Sequence, residues 1–460
     1  MADVRFSLSH LISSYLTPAG KRAAWNLSWM LAGRIVSQAC LVIIVFMLTR
    51  TLGREQFGIL STALAIQGYV MLLGSAGMPA IVTRELVRHP ENASRIASTY
   101  FALAWAIGVA VAIVISVSVV FMHISNTERF VIITVVLGSA FACGNAQPIF
   151  DAFQHQALPA VVSAVSDLLL LGVTGILALN ERLPLATCAF LFFCKWAILN
   201  ACLVLLAARL VPLRLADVSA SEAKFIWHGA WPILIGSILY LIPNSGGVII
   251  VRWLKGPSEA AGAGLAYQVF QAFAQISLLF HQVLRPHVLS TYGQESWFIK
   301  KALSALLLFL FLLAAITILG VWIAFRFILP TQFDDAFVCC LVAVGAGILL
   351  ALVYFPGTYT VAMHAERINA RVMLITAAVF ILLSFLLVPY FGALAQVIVL
   401  AMTQLLCFLM FIYAVVRLRF QKKTARGFHP ICIYSPTVKL LKFSPGQFRT
   451  FSPRHRHASP

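Results

Sequence analysis

Apolar runs of about twenty residues recur from one end of this chain to the other, and a run of that length crosses a ~30 Å hydrocarbon core as a helix. Inside lipid the backbone must satisfy its own hydrogen bonds. That leaves helices and closed barrels, and these runs are too long for tilted barrel strands. Only 10% of the 460 residues are charged while 61% are hydrophobic, too little charge to cover a soluble domain of this size. The expected fold class is all-α, a polytopic membrane protein.

Twelve spans are expected, at roughly 24–48, 57–80, 97–122, 130–149, 158–179, 184–208, 225–251, 263–289, 302–328, 336–362, 371–389 and 393–418. One of the two longest internal polar stretches, RLVPLRLADVSASEAK (209–224), lies midway. It divides the chain into two six-helix halves, 1–216 and 217–419, expected to enclose a central cavity. A basic tail, 420–460, follows, and a disordered cytoplasmic anchor is expected there.

Basic residues set the orientation. With the N-terminus inside, the inner segments carry fourteen Lys/Arg, the outer ones seven, and the chain after residue 416 ten more on the inner side. Both termini are then cytoplasmic, as an even number of spans requires. Residues 420–460 hold eight Lys/Arg and no acid, and Glu366 is the last acidic residue. Such a segment is drawn to anionic lipid by ~1 kcal/mol per charge. The net charge of +18 reads as topology and attraction to membrane lipids rather than nucleic-acid binding. Residues 1–20 show no removable signal peptide.

The halves echo one another. TRTLGREQFGIL (49–60) and LKGPSEAAGAGL (254–265) are both polar breaks after a VIIV run, at 42–45 and 248–251. The offset of 206 carries Gly58 onto Gly264, and an offset of 207 carries Pro79 onto Pro286. FQHQALPA (153–160) and AMHAERIN (362–369) each precede the last two spans of a half. The charged stretch is therefore the turn of a helical hairpin that opens both halves. Six spans per half give both the same orientation, related by a pseudo-twofold along the membrane normal, an architecture suited to rocking transport.

LTRTLGREQFGILSTALAIQGYVMLLGSAGMPAIVTREL (48–86) resembles the first hairpin of polysaccharide-biosynthesis (Wzx-type) lipid-linked oligosaccharide flippases, a family of the multidrug/oligosaccharidyl-lipid/polysaccharide exporter superfamily. Leu52, Gly53, Phe57, Gly58, Gly77, Pro79, Arg84 and Glu85 carry the likeness, and VPYFGALAQVIVLAMTQ (388–404) resembles the family's penultimate turn and last helix. GGVIIVRW (246–253) departs from the family by lacking an acid in the seventh helix, which leaves ion coupling open. The resemblance implies movement of an undecaprenyl-pyrophosphate-linked oligosaccharide from inner to outer leaflet of a bacterial cytoplasmic (inner) membrane. It implies a place in O-antigen, lipopolysaccharide or exopolysaccharide synthesis, with a glycan polymerase and export machinery as partners.

Such a substrate needs cations for the pyrophosphate and hydrogen-bonding side chains for the sugars. Charges inside a span are costly and face an interior. Arg34 lies ten residues into the first span, with Gly33, Ser37 and Gln38 on the same face. It is a candidate for the pathway, against an interhelical or snorkelling arginine. Asp167 and Lys195 lie at equal distances from the turn near 180–183, so an ion pair at one depth is possible. The pair is either helix glue or a proton-linked switch. On the eighth span Gln268, Gln271, Gln275, Gln282 and Arg285 fall within about 100° of one another. That stripe faces a cavity or a neighbouring helix. Substrate contacts are expected at Arg34, Gln38, Gln268, Gln271, Gln275 and Arg285.

Enzyme signatures are sparse. No GxxxxGK[ST] or HxxxD occurs, and Asp334–Asp335 lacks the further acids a metal–diphosphate site needs, so it reads as a solvated outer turn. The nine cysteines form no CxxC pair and read as small buried hydrophobes. No catalytic residue, metal or cofactor is expected. A cation-coupled small-molecule exporter stands as an alternative, but it wants intramembrane acids, and only Asp167 qualifies. A membrane glycan polymerase wants a large outer loop, and none is visible.

Overall fold

The computed structural model describes residues 18–180, 183–290, 296–362 and 366–425. The chain runs through helices α1 (Pro18–Ser75), α2 (Met78–Arg88), α3 (Ala93–Val120), α4 (Asn126–Cys143), α5 (Gln147–Ala152) and α6 (Ala157–Leu179). It continues through α7 (Leu185–Leu210), α8 (Ala220–Lys255), α9 (Pro257–Ser290), α10 (Ser296–Ile323), α11 (Ala336–Ala362) and α12 (Glu366–Ala425).

α1 and α12 hold 58 and 60 residues. A straight helix of that length would reach ~90 Å, about three times the hydrocarbon core. Each is broken once, α1 at Gly53 (φ 72°, ψ 177°) and α12 at Gly392 (φ 60°, ψ −137°). Without a Cβ, glycine takes up positive φ at little steric cost. Gly53 falls inside TRTLGREQFGIL, where the sequence places a hairpin turn.

Among the described residues, nine helical segments are long and apolar enough to cross a membrane, which makes this a multi-pass membrane protein. Two of them, Ser28–Arg88 and Ile368–Leu418, are 61 and 51 residues long and contain the glycine breaks. The span expected at 263–289 lies on α9, most of whose side chains beyond Leu278 fall outside the described ones. α9 is helical throughout that stretch. The span expected at 130–149 is divided, because α4 stops at Cys143 and α5 starts at Gln147. Pro148 occupies the first turn of α5, where a missing N–H costs little. At Gly144 a Cβ would stand 2.4 Å from the Trp105 indole nitrogen, so glycine lets the bend pack. This break brings Asn145 and Gln147 out of a continuous helix.

The connection at 209–224 is tied to the start of α3. Ser94 Oγ donates to Asp217 Oδ2 at 2.5 Å, and Arg95 pairs with Glu222 at 2.8 Å. The basic segment 426–460 lies outside the described residues.

Small residues set the closest helix contacts. A Cβ on Gly33 would lie 2.8 Å from the Ala160 carbonyl oxygen, so α1 meets α6 backbone to backbone. Beyond the Gly53 break, a Cβ on Gly58 would lie 1.8 Å from the Pro257 carbonyl oxygen, and one on Gly264 would lie 2.5 Å from Ser61 Cβ. The two glycines related by the 206-residue offset therefore line opposite sides of one seam between α1 and α9. Lipid supplies no hydrophobic drive between helices, so close van der Waals packing of this kind is what joins them.

Candidate functional site

Arg34 lies on the first limb of α1, whose other faces are largely apolar. Around it is a cavity of ≈ 290 Å³. α1 contributes Arg34, Ser37 and Gln38 to its wall, and the α4–α5 break contributes Asn145 and Gln147. Gln156, just before α6, Ser163 of α6 and Trp196 of α7 complete the polar and aromatic lining. The wall is thus built from four elements far apart in sequence. The break after Cys143 is what lets two amides reach it.

Arg34 is half-buried, and its Nη1 reaches Gln275 Oε1 of α9 at 3.5 Å, the long end of hydrogen bonding. One bond thus joins residues 241 apart. At the other side of the wall, Gln147 Nε2 donates to Asp151 Oδ1 at 2.8 Å, and the Gln147 backbone N–H donates to Asn145 Oδ1 at 2.9 Å.

Asp167 and Lys195 do not line the cavity. Lys195 Nζ lies 2.6 Å from Asp167 Oδ1, with the residues 9% and 1% exposed. The pair that equal depth allows is formed. It also touches two wall residues. Ser37 Oγ donates to Asp167 Oδ2, and Lys195 Nζ stands 4.9 Å from the centre of the Trp196 ring.

The glutamines of α9 divide. Gln275 meets Arg34, Gln271 Nε2 donates to the Tyr267 hydroxyl at 2.7 Å, and Gln268 is half-buried. None of the three lines the ≈ 290 Å³ cavity. Gln282 and Arg285 lie on α9, but their side chains fall outside the described ones.

A second polar cluster surrounds Arg54, immediately after the Gly53 break. Its guanidinium spans both oxygens of Asp335, at 2.9 and 2.5 Å. It also reaches Glu259 at 3.4 Å and the Ser258 carbonyl at 3.0 Å. Glu259 Oε2 in turn accepts from the Ala393 amide at 3.1 Å, capping the limb of α12 that starts after Gly392. Asp335, expected in a solvated turn, remains 57% exposed at its side chain yet is held by arginine. Arg252 and Glu128 make a second two-point pair, at 2.8 and 2.5 Å.

Sequence reasoning missed Trp196, Asn145, Gln147 and Gln156 as wall residues. The polar step Asn145–Ala146–Gln147–Pro148 inside an apolar run was the available signal for two of them.

A family model described as polysaccharide biosynthesis protein matches residues 23–292, a stretch that contains every residue lining this cavity. The chain belongs to that family. The solved structures it resembles share its fold at low identity. One is an inward-facing multidrug resistance MATE family transporter of the MOP superfamily, with TM-score 0.66, 14% identity, and coverage of 88% of this chain and 99% of that one. Another is the lipid II flippase MurJ in an inward closed conformation, with TM-score 0.70, 9% identity, and coverage of 85% and 87%. A third is the eukaryotic MATE transporter AtDTX14, with TM-score 0.60, 15% identity, and coverage of 88% and 98%. Comparison with curated proteins gives no match. The chain therefore shares its fold with these transporter and flippase structures.

Proposed function

We propose that this protein is a flippase for a polyprenyl-pyrophosphate-linked oligosaccharide, carrying the head group from the inner to the outer leaflet of a bacterial cytoplasmic membrane by alternating access. The observation that carries the reading is Arg34 on the wall of a polar cavity inside an apolar helix bundle. Arginine offers a planar fork to phosphate oxygens, and the neutral amides around it suit hydroxyl groups. The family membership supports a role in polysaccharide synthesis.

The reading includes twelve crossings, with each glycine-broken helix counted as a hairpin and α9 as a span, and both termini in the cytoplasm. Arg285, toward the C-terminal end of α9, is the second cation offered to the pyrophosphate, at the side where it loads. A glycan polymerase and export machinery are the partners downstream.

A cation-coupled exporter would use Asp167 as its titrating acid. Asp167 is 1% exposed, paired with Lys195 and absent from the cavity wall, which favours the flippase.

The test is cellular. Deleting the gene should leave lipid-linked glycan on the inner leaflet. Arg34→Ala and Arg285→Ala should reach the membrane at normal abundance and give the same accumulation, with the lysine variants intermediate. Full activity in the double alanine variant at normal abundance would remove the basis for this pyrophosphate site.

A further inference from the structure

Among the described residues, charge is balanced at this cavity. Arg34 is the only charged lining residue among them, and Asp151, bonded to Gln147 directly behind the wall, lies within electrostatic reach of it. Lys195, the other nearby cation, is committed to Asp167. Once Arg34 engages a phosphate, no unmatched cation among the described residues remains at this wall. The rest of the polar lining is neutral. Gln38, Asn145, Gln147 and Gln156 carry amides, each with donors and an acceptor.

That inventory suits one class of ligand and penalises another. A neutral sugar ring presents hydroxyls that both donate and accept, and amides answer both. A carboxylate only accepts, and buried without a cationic partner it is costly. Here it would also meet Asp151. Trp196 adds a flat apolar surface for the C–H face of a pyranose. Its indole N–H is buried and has no hydrogen-bond partner among the described residues.

The wall is also held in place. Gln147 is fixed by Asp151, Ser37 by Asp167, and the Trp196 ring has Lys195 beside it. A site whose own partners are already in position loses less entropy on binding.

We infer that this wall reads the sugar attached to the pyrophosphate and selects an uncharged one, with Gln38, Asn145, Gln147 and Gln156 as the specificity residues and Trp196 as the platform. The inference rests on the flippase reading and gives that site its chemistry.

The experiment uses the full chain in proteoliposomes and two probes, a polyprenyl pyrophosphate bearing a single neutral hexose and one bearing a single hexuronic acid. The native protein should move the neutral probe about tenfold faster or more, the scale of one unpaired buried polar group. Gln156→Lys and Gln38→Lys should each speed the acidic probe and narrow the ratio, while Gln156→Glu should widen it. Equal rates for both probes in the native protein would overturn the inference and leave the flippase reading intact. An unchanged ratio in the lysine variants, with the neutral probe still moving, would do the same. Failure of the native protein to move either probe would overturn both.

Discussion

Lys195 Nζ stands 2.6 Å from Asp167 Oδ1, with both side chains almost wholly shut away from solvent. Removing one partner of such a pair leaves an uncompensated buried charge, at a cost of about 3–5 kcal/mol, whereas removing both is often nearly neutral. Asp167→Asn and Lys195→Met should each lower membrane abundance more than the double variant does. If Asp167→Asn instead abolishes transport at normal abundance while Lys195→Met is tolerated, the pair is a switch.

The seam at Gly58 predicts a sharp contrast between glycines. Any Cβ there collides with the Pro257 carbonyl, while Gly68 on the same limb has nothing within 4 Å. Gly58→Ala should destabilise by about 1–3 kcal/mol through overpacking. Gly68→Ala should be neutral or gain up to ~1 kcal/mol of helix propensity. Apparent Tm in detergent separates the two, and equal shifts would contradict the seam.

Arg54 holds Asp335 at two points, but the Asp335 side chain is 57% exposed, so solvent screens the pair. A double-mutant cycle with Arg54→Ala and Asp335→Ala should give coupling of about 1 kcal/mol or less, falling as salt rises. Glu259→Ala should cost more than Asp335→Ala, because Glu259 also caps the Ala393 amide. Equal losses in thermal stability would show that the cap contributes nothing.

Much of the helical architecture was legible because lipid enforces it. A chain of recurrent twenty-residue apolar runs has few alternatives, and the turn at Gly53 was marked by charge between two such runs. The Asp167–Lys195 contact was legible from equal depth in adjacent antiparallel helices. The wall of the cavity was less so. Asn145, Gln147, Gln156 and Trp196 come from segments that converge only in three dimensions, and amides carry no distinctive spacing. The bond from Arg34 to Gln275 was equally hidden, since no local rule relates positions 241 apart. The α4–α5 break was obscured by the hydrophobicity on both sides of it.

The basic residues predict sidedness. Reporter fusions at residue 419 and within 252–262 should report opposite sides of the membrane, cytoplasmic for the first. The same side for both would contradict the twelve-crossing topology and the repeat with it.

The most direct measurement is head-group movement by purified protein in proteoliposomes loaded with a polyprenyl-pyrophosphate-linked oligosaccharide. A charge-assisted hydrogen bond to phosphate is worth about 1.5–3 kcal/mol, so losing it should slow transport roughly tenfold or more. The native protein should carry the head group across, Arg34→Ala should show that deficit, and Arg34→Lys should fall between, retaining charge without the fork. Transport by Arg34→Ala at the native rate would contradict the account, as would a native protein that leaves the head group where it began.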